Sequence, residues 1–180
     1  MTMHHDLPDA LRDQITRSRI ALSLATTLPD MPLCLVNEAF LTLTGYGTDD
    51  ACGRNCRFLQ GPDTPPDQVR AMSDFLRNDG QDDARFPVLN HTRDGRTFIN
   101  LVFMSKLRGS DGVLRYVLAS QFDVTAATAA GTRNRDDAAL GRHMTDLRRA
   151  AGEFGLIMAD STDLIARSIS TLARITVRDE

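Results

Sequence analysis

Three carboxamides stand out by their surroundings. Asn90, Asn100 and Gln121 each fall in a short run where apolar residues alternate with period two, the pattern of a half-buried strand. Alternation puts Phe86, Val88 and Asn90 on one face of a first strand. It puts Phe98, Asn100, Val102 and Met104 on one face of a second, and Val117, Ala119 and Gln121 on one face of a third. A buried carboxamide left unpaired costs about 1–3 kcal/mol. Three on one apolar face therefore point either to a mutual hydrogen-bond network or to the edge of a polar ligand. Because an amide both donates and accepts, the second reading suits a heterocycle whose edge alternates carbonyls and N–H groups.

The three cysteines separate by context. Cys34, inside Pro32-Leu33-Cys34-Leu35-Val36, is expected to be a small buried hydrophobe. Cys52 and Cys56 are four residues apart and His91 is a ligand type, but no fourth ligand stands at a zinc-site spacing, so no metal is expected. Cys56 sits in Gly53-Arg54-Asn55-Cys56-Arg57-Phe58-Leu59-Gln60, where arginines on both sides suit an anion and a short helix would aim the thiol inward. An odd number of cysteines leaves at least one thiol free, as in a reducing compartment.

The elements that must position these groups are legible from pattern. Residues 6–19 read as a helix with Leu7, Leu11, Ile15 and Ser18 on one stripe, and 20–25 and 33–36 as two short strands around a turn at Leu28-Pro29-Asp30-Met31-Pro32. Asn37 is placed to cap a helix over 38–44 that Gly45 ends. Short helices broken by Gly53 fill 48–60, and Pro65 and Pro66 open a helix of about three turns that stops at Asn78-Asp79-Gly80. Strands over 85–90, 97–107 and 114–124 are separated by the turn signals Arg93-Asp94-Gly95-Arg96 and Gly109-Ser110-Asp111-Gly112. Beyond a small, polar joint at 126–135, Leu140, Met144, Leu147, Ala151, Phe154 and Met158 mark the seam of a helical hairpin or kinked helix, with His143 expected on its solvent side.

The expected organisation is an N-terminal cap helix over 1–19, an α+β core over 20–125 with an antiparallel sheet and short helices on one face, and a C-terminal helical extension over 126–180. The 180 residues suffice for one such domain and its appendages. A net charge of −3, with eight Arg balanced by eight Asp or Glu over 132–180, argues against nucleic acid as a partner. Apolar runs too short for a membrane span, and Asp6, Asp9 and Asp13 at the N-terminus, give the expectation of a cytoplasmic protein with no membrane association.

The octapeptide around Cys56 resembles the signature of LOV domains, the flavin-binding blue-light sensors of the PAS superfamily. The resemblance runs from about residue 18 to 125, where Phe122-Asp123-Val124-Thr125 looks like the end of a PAS core. It implies a short photoreceptor without a fused effector domain, carrying FMN, with riboflavin or FAD as alternatives. Cys56 would form a reversible bond to a carbon of the photoexcited ring, for which proximity matters more than a thiolate. Gln121 would bond the adjacent ring nitrogen and rotate its amide when that nitrogen gains a proton. Asn90 and Asn100 would hold the pyrimidine edge, Arg57 the phosphate and Gln60 the ribityl chain, with Asn55 in support.

The sequence departs from the family in places. A second phosphate-binding arginine is replaced by Ser73, leaving Arg70 and Arg77 as candidates one turn either side. Val102 stands where an aromatic residue is common, and Leu24-Ala25 where a Thr-Asp pair is frequent. No enzymatic activity is expected. Output would pass through the terminal helices to a homodimer in at least one light state, or to an unidentified protein partner. The competing readings are a light-independent flavin redox sensor and a PAS scaffold for dimerisation or partner binding.

Overall fold

The computed structural model describes residues 7–126; the expected C-terminal helices, with His143 and the Leu140–Met158 seam, lie outside the described residues, as do residues 1–6. The chain runs through α1 (Asp9–Arg17), β1 (Ala21–Thr26), β2 (Leu33–Val36), α2 (Glu38–Thr44), α3 (Thr48–Ala51), a 3₁₀ turn (Cys56–Leu59), α4 (Pro66–Arg77), β3 (Asp83–His91), β4 (Thr97–Arg108) and β5 (Leu114–Asp123). The strands form one five-stranded sheet in the order β2-β1-β5-β4-β3, and every pairing in it is antiparallel. The α+β arrangement expected from the alternating runs is the one observed.

The sheet has two different faces, and alternation along each strand decides what each one carries. One face packs Leu22, Leu24, Leu107, Tyr116 and Leu118 against Leu11 and Ile15 of α1. The other face lies under α2, α3, the 3₁₀ turn and α4, where Ala21, Leu33, Val36, Phe40, Ala51 and Leu59 form a second apolar cluster. Helix α1 is shorter than the sequence stripe suggests because Pro8 and Ser18 both take extended backbone, with ψ of 130° and 139°.

Asn37 joins the two layers. Its Oδ1 accepts from the N–H groups of Phe40 and Leu22, capping α2 and fixing the start of β1, while its Nδ2 donates to the carbonyls of Ile15, Ser18 and Ile20 at the exit of α1. Gly45 closes α2 at φ +74°, a left-handed conformation that glycine adopts without steric cost.

The chain holds 20 arginines and a single lysine, and that lysine is buried. Lys106 lies on β4 with its Nζ donating to the carbonyls of Phe75 (2.8 Å) and Asn78 at the C-terminal end of α4, and 4.7 Å from the centroid of the Phe75 ring. A compact ammonium with three donors fits where carbonyls left over at a helix end converge. Lys106→Met should remove the ammonium from both carbonyls, leaving Phe75 with the Asn78 N–H alone, and lower unfolding stability by about 2 kcal/mol, read as a reduced denaturant midpoint at unchanged slope. An unchanged midpoint would mean that Lys106 is a passenger at this contact.

Candidate functional site

The helical side of the sheet holds a cavity of about 240 Å³. Its floor is the sheet: Ser23 and Ala25 from β1, Val88 and Asn90 from β3, Asn100, Val102 and Met104 from β4, and Val117, Ala119 and Gln121 from β5. Its walls are Asn55, Cys56, Arg57 and Gln60 from the 3₁₀ turn and its caps, Val69, Met72, Ser73 and Leu76 from α4, and Met31 and Leu33. The three amides, the thiol, Arg57, Gln60, Asn55 and Val102 thus surround one space. Arg70 and Arg77 are not among the lining residues. Both are exposed, and Arg77 reaches the wall only indirectly, its Nη2 donating to Ser73 Oγ at 2.7 Å.

Strand register brings the amides together. Asn100 pairs with Val88 and Val102 with Gln121, so Asn90 and Gln121 are the diagonal neighbours of Asn100 on either side. Asn100 Nδ2 donates to both Asn90 Oδ1 and Gln121 Oε1, each at 2.9 Å, and Gln121 Nε2 donates to Ser23 Oγ at 3.0 Å. The network is incomplete. Asn100 Oδ1 is buried without a partner, although Asn100 lines the cavity. A buried carbonyl without a donor carries a desolvation penalty that a ligand N–H would remove.

The thiol is placed by the local fold of its octapeptide. Gly53, at φ +81°, turns the chain after α3, and its N–H donates to the Leu33 carbonyl while Leu33 N–H donates to the Arg54 carbonyl, tying the segment to β2. Asn55 then caps the 3₁₀ turn through Oδ1, which accepts from Arg57 N–H at 2.9 Å. Arg54 packs over the Phe58 ring, 4.8 Å from its centroid, leaving Arg57 as the arginine of this segment at the cavity.

Burial pushes the Cys56 thiol up to about 12, from a starting value of 9.0. The group is a neutral thiol at neutral pH, suited to proximity chemistry and unsuited to thiolate nucleophilic catalysis. A raised folded-state value keeps the proton on Cys56 while the unfolded chain ionises. Its contribution to stability is therefore intact below about pH 9 and lost between about pH 9 and 12. Cys56→Ser should flatten the fall in unfolding stability across that window, and an identical alkaline profile for both proteins would show that Cys56 is not shielded.

Cys34 is exposed, because it stands on the outer edge strand β2 beside a register irregularity at Leu24/Ala25, and its Sγ donates to the Leu24 carbonyl at 3.4 Å. The expectation of a buried residue there is corrected. Among the described residues no group of His, Cys, Asp and Glu assembles a metal site.

Three site residues had escaped sequence reasoning. Ser23 holds Gln121. Thr64 and Gln68 hold the edge strand that carries Asn90: Thr64 Oγ1 donates to the Leu89 carbonyl at 2.6 Å, and Gln68 Oε1 accepts from Leu89 N–H at 2.9 Å. His91, next along, packs against Gly61, where a Cβ would come within 2.5 Å of the imidazole, so that any larger residue there would displace the ring.

Comparisons with known proteins agree with this geometry. The PAS domain family profile matches residues 22–126. The LOV domain of the Erythrobacter litoralis EL346 blue-light activated histidine kinase superposes with a TM-score of 0.57 at 34% identity, over 61% of this chain and 99% of that one. An RNA-binding light-oxygen-voltage receptor superposes with a TM-score of 0.61 at 31% identity, over 71% of this chain and 37% of that one. In sequence, blue-light-activated histidine kinase 1 of Erythrobacter litoralis (strain HTCC2594) is 34% identical over 185 residues, covering 91% of this chain and 49% of the kinase. The chain spans about half or less of the length of such curated relatives. It is a member of the PAS superfamily and, within that superfamily, of the LOV domains.

Proposed function

We propose that this chain is a blue-light receptor that holds a flavin, FMN foremost, in the cavity between the sheet and α4. The observation that carries the proposal is the orphaned Asn100 Oδ1 at the centre of an amide row facing a cavity with one thiol on its wall. A bound flavin would supply a blue-absorbing ring to which the Cys56 sulfur bonds in the light. The chain's residues would do the rest. Asn90 and Asn100 offer donors and acceptors to the pyrimidine edge, with Asn100 Oδ1 taking the ring N–H. Gln121, already held by Ser23 and Asn100, contacts the ring nitrogen beside the reacting carbon. Val102 would pack on the ring, Gln60 and Asn55 would line the side-chain path, and Arg57 would meet the phosphate.

The departure at Ser73 is met by Arg77 rather than Arg70. Arg77 donates to Ser73 Oγ, which frees the hydroxyl proton for an acceptor in the cavity. Output through residues 126–180, as a change in self-association or in binding to a protein partner, completes the proposal. The kinase activity named for its relatives belongs to those longer proteins. The test is the absorption spectrum of the purified chain before and after blue illumination. Reversible bleaching of a bound flavin supports the receptor, a flavin spectrum indifferent to light supports a redox sensor, and a colourless protein supports a scaffold.

A further inference from the structure

Arg57 is the sole charged residue among those lining the cavity, and its charge is already engaged. Its Nη2 lies 2.7 Å from Asp30 Oδ1. Asp30 is not placed there by a relaxed turn: it has φ +70° and Met31 follows at φ +48°, two successive left-handed residues without the freedom of glycine. A second tie holds the same turn, Asn55 Nδ2 donating to the Asp30 carbonyl at 2.6 Å. Met31 itself lines the cavity. The turn over residues 28–31 is thus clasped onto the Cys56 segment by one neutral bond and one ion pair.

On α4, Arg77 divides its guanidinium between Ser73 Oγ and Asp74 Oδ1 at 3.3 Å, and neither it nor Arg70 lines the cavity. An anionic ligand entering this cavity meets an arginine that has an anion, while a neutral ligand meets no such competition.

From this geometry we infer that Asp30 is a specificity-determining residue: an internal anion seated on Arg57 that narrows the preference of the site for phosphorylated over unphosphorylated flavins. The inference rests on the flavin reading above. A phosphate must take Arg57 from Asp30 or share it, so part of what the phosphate gains from Arg57 is offset by what Asp30 loses. Riboflavin leaves the clasp closed.

Asp30→Asn isolates the charge. Asparagine has the same shape, tolerates a positive φ and keeps the backbone carbonyl that Asn55 holds. Flavin-depleted full-length protein is titrated in the dark with FMN and with riboflavin, following quenching of flavin fluorescence. Asp30→Asn should tighten FMN about fivefold, the upper end for an exposed ion pair, and leave riboflavin within about twofold. In an Arg57→Gln background the same substitution should have no effect on either ligand, because the competition has lost its object. An unchanged FMN-to-riboflavin ratio in Asp30→Asn overturns the inference while leaving the flavin site standing. So does an equal shift for both ligands, which a merely structural role for the turn would give, and so does a gain that survives Arg57→Gln. Failure of the parent to bind either flavin removes the flavin reading and this inference together.

Discussion

Cys56→Ser is expected to retain flavin at close to the parent affinity and to lose light-driven bleaching completely. Serine keeps the shape of the side chain where Cys56 packs beside the Phe40 and Leu59 cluster, so the walls of the cavity should not move. It removes the sulfur, and a hydroxyl is a far poorer electron and hydrogen donor to an excited ring. The thiol's raised pKa sharpens the expectation, because the group presents S–H and not S⁻ at neutral pH, and its value to the reaction is its position. Cys34→Ser and Cys52→Ser should bleach like the parent, since neither residue lines the cavity. The check is the visible absorption of each purified variant across a light and dark cycle. Parent-like bleaching by Cys56→Ser would end the assignment of Cys56, and loss of bleaching in Cys34→Ser would move it.

What could be read from the sequence follows the range of the physics involved. The helix from Asn37 to Gly45 was legible because its start and stop signals are local: Asn37 caps through its own side chain and Gly45 takes a left-handed turn. The common face of Asn90, Asn100 and Gln121 was legible because alternation is a property of each strand alone. Contacts that depend on strand order were not. Ser23 and Gln121 are 98 residues apart and meet only because β1 lies beside β5. Nothing in the run Ala21–Thr26 distinguishes Ser23 from a filler position. Likewise the stripe of α1 says that it packs but not on which face, and it lies opposite the cavity. Cys34 was misread for a related reason. A short unbroken apolar run carries no label for its exposed side, and edge strands have one.

Gln121→Leu is expected to bleach in light and to transmit little of it. In the structure Asn100 spends its two amide hydrogens on Asn90 and Gln121, and Gln121 spends one of its own on Ser23. If the Gln121 amide turns over, its Oε1 points to Ser23, whose hydroxyl can rotate to donate, so that end adapts at little cost. At the other end Gln121 Nε2 would face Asn100 Nδ2, donor against donor. Relief requires Asn100 to turn as well, bringing to Gln121 the Oδ1 that would otherwise accept from the ligand N–H, so that this N–H and Asn90 both exchange their Asn100 contact in turn. A reversal begun at β5 is therefore carried through β4 toward β3 by satisfaction of hydrogen bonds alone. Leucine has nothing to reverse. It also strands Ser23 Oγ and one hydrogen of Asn100, so Gln121→Leu should lose about 1–3 kcal/mol of stability in the dark, measured by denaturant unfolding. Circular dichroism and small-angle scattering in dark and light should show a difference in the parent that is absent or much reduced in the variant. A light-dark difference of parental size in a Gln121→Leu protein that bleaches normally would exclude the amide row as the route and place the response elsewhere in the cavity wall.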